Sequence, residues 1–227
     1  MKYVITGGSS GLGFELAKRC HQLGDVICFN RNVGKLGQLK HHQHFCRHYP
    51  IDLSVDSLER RDCLMSAYKE ELEGHQYKLI LNAAQFAIQD FNRMTDDAKR
   101  IFEINYFSQI ELLKCLCQDG LKRVIFINSI SGREGQANQF QYSASKHALQ
   151  GFVSSLFKSS NEYDFDVINI NPGGMKTELW DDQGVDHEKH KKFLEPSHVA
   201  DLLMALIEFP GKVFVKSFEI LPESDVR

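Results

Sequence analysis

The chain has 227 residues, 42% hydrophobic and 25% charged, with a formal net charge of -3. That length suits one large domain able to bury a core without disulfide or metal staples, and that balance excludes disorder. The small negative charge gives no general pull toward nucleic acid or anionic lipid. No apolar run approaches the ~20 residues a membrane span needs, and the opening residues run into glycines too early for a signal peptide. The cysteines, Cys20, Cys28, Cys46, Cys63, Cys115 and Cys117, form no regular framework. They are expected to be reduced thiols of a cytoplasmic protein.

Short apolar runs alternate with amphipathic stretches. Residues 2–6 read as a strand that ends in a glycine-rich turn. Residues 12–23 have helical spacing and stop at Gly24. Residues 26–29 and 45–51 read as strands. Residues 54–73 read as a helix with Ser54 as N-cap. A strand follows at 78–81 and a long helix at 95–117. Residues 123–127 are a strand, 141–159 a helix and 166–170 a strand. A helix at 197–209, capped by Ser197, and a last strand at 213–221 complete the pattern. This alternation predicts an α/β fold with a parallel sheet covered on both faces. Val124-Ile125-Phe126-Ile127 is apolar on both sides, as a buried parallel strand should be. With no repeat or linker, residues 1–227 read as one domain. Residues 175–196, rich in both charge signs, are expected to form a mobile substrate loop.

The first strand feeds Thr6-Gly7-Gly8-Ser9-Ser10-Gly11-Leu12-Gly13 and then a helix. Glycine lets the backbone turn tightly and approach a ligand closely. A helix N-terminus offers free N–H groups and a positive dipole end to a pyrophosphate. Further on, Tyr142 and Lys146 stand four residues apart, on one helix face. A tyrosine is a poor base at neutral pH, and a lysine cation beside it favours the phenolate. About 3–4 kcal/mol of differential stabilisation would bring its pKa into reach. Ser129 lies at the C-terminal end of the strand 123–127, where open α/β sheets bind ligands. It can hydrogen-bond a substrate oxygen, and Ser131 is the competing candidate. Asn105 sits inside a predicted helix, where asparagine is a mediocre former.

The spacing of Thr6-Gly7, Gly11 and Gly13 resembles that of the short-chain dehydrogenase/reductase family. Tyr142-x-x-x-Lys146, Ser129, Asn82-Ala83-Ala84 and Pro172-Gly173-Gly174-Met175-Lys176-Thr177 follow in that family's order. The resemblance implies a single-domain Rossmann-type doubly wound sheet of about seven strands, in the order 3-2-1-4-5-6-7. It implies an oxidoreductase that moves a hydride between a nicotinamide and a carbonyl or secondary alcohol. It assigns catalysis to Asn105, Ser129, Tyr142 and Lys146, with Lys146 lowering the tyrosine pKa and Asn105 holding a relay water. Cofactor contacts are implied for Thr6, Gly7, Ser9, Ser10, Gly11, Leu12, Gly13, Asn82, Ala83, Ala84, Tyr142, Lys146, Pro172, Gly173, Met175 and Thr177. Asp52, with Leu53 beside it, resembles the acidic contact to the adenine amino group. Gln85 departs from the family's glycine.

After the second strand, Asn30 and Arg31 replace the acidic residue that marks an NAD site. Neutral Asn30 removes repulsion toward a 2′-phosphate, and Arg31 can bind it through a charge-assisted fork. NADP(H) is therefore expected, with NAD(H) the alternative. His41, His42, His44, His48 and Cys46 match no metal module, and no metal is expected. The long helices resemble those through which family members form homodimers or homotetramers. The competing reading is a non-catalytic nucleotide sensor that retains the fold. The intact set Asn105, Ser129, Tyr142 and Lys146 argues against it.

Overall fold

A computed structural model describes residues 1–34, 46–54, 58–93, 98–180 and 191–223. A parallel sheet of seven strands runs through it in the order β3-β2-β1-β4-β5-β6-β7. The strands are β1 (Lys2–Thr6), β2 (Asp25–Asn30), β3 (Arg47–Pro50), β4 (Tyr77–Leu81), β5 (Leu121–Ile127), β6 (Asp166–Pro172) and β7 (Val215–Ile220). The helices are α1 (Gly11–His21), α2 (Leu58–Ala67), α3 (Ala98–Phe102), α4 (Ser108–Leu116), α5 (Phe140–Lys158) and α6 (Pro196–Ile207). Every strand pair is parallel, with Val4 beside Ile27 on one side and Leu79 on the other.

Successive strand side chains point to opposite faces, so each central strand feeds two cores. Tyr3, Ile5, Ile125, Ile127 and Ile168 pack with Leu12, Leu16, Val199 and Leu203 of α1 and α6. Val4, Leu79, Val124, Phe126 and Val167 pack with Leu64, Leu112, Leu149 and Val153 of α2, α4 and α5. Among the described residues, no helix is long and apolar enough to cross a membrane.

Two helices run through wider turns. Tyr68–Leu72 continues α2 as a π-helix, and Glu103–Phe107 does the same between α3 and α4. A π turn inserts one residue into the helical ladder, and such turns recur at functional sites. The carbonyl of Ile104 in the second one accepts from the Ser108 hydroxyl at 2.9 Å and the Gln109 side-chain amide at 2.8 Å. Buried Arg60 of α2 pairs with Glu103 at 3.1 Å and also with Glu111, which locks this turn to α2.

Ser197 does not cap α6. Glu195 holds the extended N-cap position and Pro196 opens the helix, because proline's fixed φ and missing N–H suit the first turn. The expected cap at Ser54 borders residues 55–57, which lie outside the described residues. Ser54 instead donates its backbone N–H to Asp52 Oδ1 at 2.8 Å.

Candidate active site

The sheet order reverses between β1 and β4, which opens a crevice at their C-terminal ends. Local hydrogen bonds fix that crevice. The Thr6 hydroxyl accepts from the N–H of Asn82 at 2.9 Å and of Ala83 at 3.0 Å. The Asn82 amide donates back to the carbonyls of Thr6 and Gly7, at 3.0 and 3.2 Å. The Gly7 N–H reaches Phe29 at 3.0 Å, so the ends of β1, β2 and β4 are tied together. A methyl at position 13 would overlap the Gly7 carbonyl and the Asn82 amide, so only glycine lets α1 approach this closely. Ser10 is the N-cap of α1 and makes no side-chain cap bond, so its hydroxyl is not spent on its own helix.

A cleft of about 490 Å³ runs from Asn30, Arg31, Asn32 and Asp52, past Ser9, Ser10, Gly11 and Leu12, to Tyr142, Lys146 and Thr177. At the outer end Asn30 is buried, its amide nitrogen 3.3 Å from His48 Nδ1. Its Oδ1 is buried without a partner among the described residues, an acceptor that a ligand hydroxyl would satisfy. Asp52 accepts from Ser54, and this bond, helped by Arg31 and Arg100, holds its carboxyl below the usual range. A dinucleotide fits this donor set: an orphan acceptor, a glycine cradle and a helix N-terminus in one continuous cleft.

At the inner end α5 presents Tyr142 and Lys146 toward β5. Both side chains are buried. The Lys146 ammonium donates to the Ile127 carbonyl at 3.1 Å and lies 5.7 Å from the Tyr142 ring centroid. Burial pushes the Lys146 pKa down to about 7. Burial also pushes the Tyr142 phenol up to about 12, and a hydrogen bond with the Ser129 side chain pulls it partly back. The expected lowering by Lys146 does not emerge in this arrangement, because desolvation penalises both charged forms. Ser131 is committed elsewhere: its hydroxyl donates to Gln139 at 3.0 Å. Ser129 is therefore the serine that meets the tyrosine.

Asn105 lies in the π turn, fully buried. Its Oδ1 accepts from the Gln85 N–H at 2.8 Å, and its amide donates to the Gln85 carbonyl at 2.9 Å and to Ser145 at 3.0 Å. Its side chain thus clamps the loop after β4 onto α5. The Ser145 hydroxyl donates to the Tyr142 carbonyl at 2.7 Å, which extends the clamp to the tyrosine's own backbone. Gln85, where the family has glycine, is held by its backbone and lines the cleft.

Beside this site lies a second cavity of about 100 Å³, lined by Ser129, Tyr142, Phe86, Met175, Trp180 and Phe193 among others. Phe86 packs edge-on to Tyr142 at 4.9 Å and against Trp180 at 4.4 Å, and Trp180 packs on Phe193 at 4.9 Å. The Trp180 indole donates to the Met175 carbonyl at 2.8 Å. A Cβ at Gly174 would sit 2.7 Å from the Phe193 ring, so glycine is what lets the ring seat. The two ends of the long connection join where the Leu194 N–H reaches Gly174 at 2.9 Å and the Lys176 N–H reaches Leu194 at 2.9 Å.

The structure gathers all the sequence-marked cleft residues along this edge, with Pro172 and Gly173 on the second cavity's wall and Leu53 behind Asp52. Gly13 and Thr6 shape the turn from within. Phe140 does not reach the site and packs on Phe91 at the surface instead. His41, His42 and His44 lie outside the described residues, as do 181–190 of the expected mobile loop. Among the described residues no cluster of potential metal ligands forms. Phe86, Phe193 and Arg100 carry no motif and were not legible in the sequence. Only their place on the walls of the two cavities marks them.

The short chain dehydrogenase family model matches residues 2–188. The bovine (Bos taurus) dehydrogenase/reductase SDR family member 7B is 35% identical over 193 residues, covering 78% of this chain and 58% of that protein. This chain thus spans less than two thirds of that relative's length. A solved 4-hydroxyisoleucine dehydrogenase mutant complexed with NADH and succinate superposes with a TM-score of 0.85 at 23% identity, covering 100% and 99% of the chains. An alcohol dehydrogenase from Thermococcus sibiricus complexed with 5-hydroxy-NADP gives 0.81 at 21%, covering 96% and 95%. These structures share the fold, and the match to the family model adds descent: the chain belongs to the short-chain dehydrogenase/reductase family.

Proposed function

We propose that this protein is an NADP(H)-dependent oxidoreductase that interconverts a small carbonyl compound and its secondary alcohol. The observation that carries the reading is the pair Tyr142 and Lys146 at the inner end of the cleft, with Ser129 hydrogen-bonded to the phenol. Reduced nicotinamide, when bound, supplies the hydride that the carbonyl carbon receives. Tyr142 gives its phenolic proton to the carbonyl oxygen, so one hydride and one proton complete the alcohol. A phenol kept protonated by burial suits that direction at neutral pH. Ser129 donates a hydrogen bond to the same oxygen and stabilises its developing charge. Lys146 keeps a donor beside the phenol and the ribose. Asn105 holds Gln85 and α5 in register, and an additional role in ordering a relay water belongs to the same proposal.

The preference for NADP(H) rests on neutral Asn30 and on Arg31 at the cleft's outer end, with Arg100 as a second cation near Asp52. The expected binding order is NADPH tighter than NADH. Arg31→Ala should reduce the NADPH/NADH affinity ratio by about tenfold, the loss of one charge-assisted fork. An unchanged ratio would remove Arg31 from the argument. Tyr142→Phe should abolish turnover while leaving cofactor affinity within about twofold, since it deletes only the proton donor. Retained turnover in that variant would overturn the mechanism.

Residues 1–227 read as one catalytic domain, with 175–196 as its substrate loop. A homodimer or homotetramer is expected through α4 and α5, near which Phe107 stands half-exposed. Light scattering reads this directly. The six free thiols fit a cytoplasmic setting.

A further inference from the structure

We infer that the aromatic cavity beside Tyr142 selects a compact, uncharged carbonyl compound and rejects carboxylates. The inference rests on the oxidoreductase reading for the reaction, and on the cavity alone for the class of substrate. The cavity opens directly onto Ser129 and Tyr142, so a molecule inside it presents its carbonyl to both. Its walls include Phe86, Trp180 and Phe193, tilted rings in continuous contact with centroids 4.4 and 4.9 Å apart. Phe86 and Phe193 are each 5% exposed. Flat apolar surface is what such a wall binds best.

No lysine, arginine, histidine or acidic side chain lines the cavity among the described residues. The polar side chains on its wall are all neutral, Ser131, Gln136 and Gln139 among them. Gln139 already accepts from Ser131 at 3.0 Å. Lys176 of the neighbouring connection is paired to Glu195 at 2.6 Å. A carboxylate entering here would lose its hydration with no cation to replace it. A neutral ketone would lose only apolar hydration and gain ring contact. At about 100 Å³ the cavity admits a molecule of roughly one ring. Phe86, Trp180 and Phe193 are thus the residues that set specificity.

Trp180 is the chain's one tryptophan, so emission excited selectively in tryptophan reports on this cavity's wall. The test titrates the cofactor-free protein, with no nicotinamide cation beside the cavity, with cyclohexanone and with 4-oxocyclohexanecarboxylate, which differ by one carboxylate. The expected result is a change in Trp180 emission with cyclohexanone binding at least about tenfold tighter. Gln136→Arg, which adds a cation at the cavity wall, should recover at least tenfold of the carboxylate's affinity. Equal affinities, a tighter carboxylate, or no emission change with either compound overturns the inference. Turnover with NADPH separates the two readings. Selective binding without turnover leaves the cavity assignment standing and removes the reductase reading. Turnover of both compounds at equal kcat/KM does the reverse.

Discussion

Lys146 sits where an ammonium is hardest to keep charged. Its pKa, brought down to about 7 by burial, lies well below the ~10.4 of an unfolded lysine. Between those values the unfolded chain binds the extra proton, so stability rises with pH across that window. Below about pH 7 the native state bears the full cost of a buried cation. Lys146→Met removes the charge and keeps the length. The variant should therefore be more stable than the parent near pH 6, by as much as ~4 kcal/mol. The gain should vanish as pH approaches 10. Urea midpoints at the two ends of that range measure it, and a pH-independent difference would show that the native lysine is not held neutral. A residue that costs stability is thus the one the proposed chemistry uses, a common bargain at active sites. The identity of this residue was legible from the four-residue spacing to Tyr142. Its depressed pKa was not, because desolvation depends on what three other elements bring around it.

At the scale of elements, the sheet has two edges with different duties. The C-terminal edge carries the cleft, and the N-terminal edge carries buried ion pairs. Arg123, at the start of β5, pairs with Asp166 at 2.7 Å and donates to the carbonyls of Leu206, Ile207, Phe209 and Gly211, at 2.8 to 3.1 Å. It therefore closes the C-terminal end of α6, where carbonyls lack partners. Lys78 of β4 adds a bond to the same Ile207 carbonyl at 2.8 Å. Arg123→Met should destabilise the fold by about 3–5 kcal/mol, since Asp166 and several carbonyls lose their donor. Cofactor affinity should not change, because the cleft lies at the other end of the strands. Chemical denaturation and a nucleotide titration of the same variant check both halves. Strand positions were readable from apolar runs because a doubly covered parallel sheet needs little else. The π turns were not. One inserted residue leaves no mark in helical periodicity, and both segments read as plain helix.

For the molecule as a whole, the glycine turn, the loop after β4 and the connection after β6 come from distant parts of the chain. All three meet at the cleft. A dinucleotide spanning it should couple them. At a hundred times its dissociation constant, NADPH is expected to add about 2.7 kcal/mol of stability, or roughly 5–10 °C in Tm for a domain this size. A thermal scan with and without NADPH reads the effect, and an unchanged Tm at saturating NADPH would show that the cleft does not bind it. The sheet order was anticipated from the family's motifs, and it is the order found. Of the proposed wall, Phe86 and Phe193 were not anticipated. Phe86 and Phe193 stand 107 positions apart, and nothing in either local sequence points to the other.

The bridge between Met175 and Leu194 has an evolutionary consequence. With the two ends fastened to each other, their separation does not depend on the length of chain between them. Lengthening or replacing such a closed excursion costs little, since doubling a loop adds only ~0.6 kcal/mol of closure entropy. Variation between the fastened ends can therefore change what the neighbouring cavity accepts, while the residues proposed for hydride transfer stay in place.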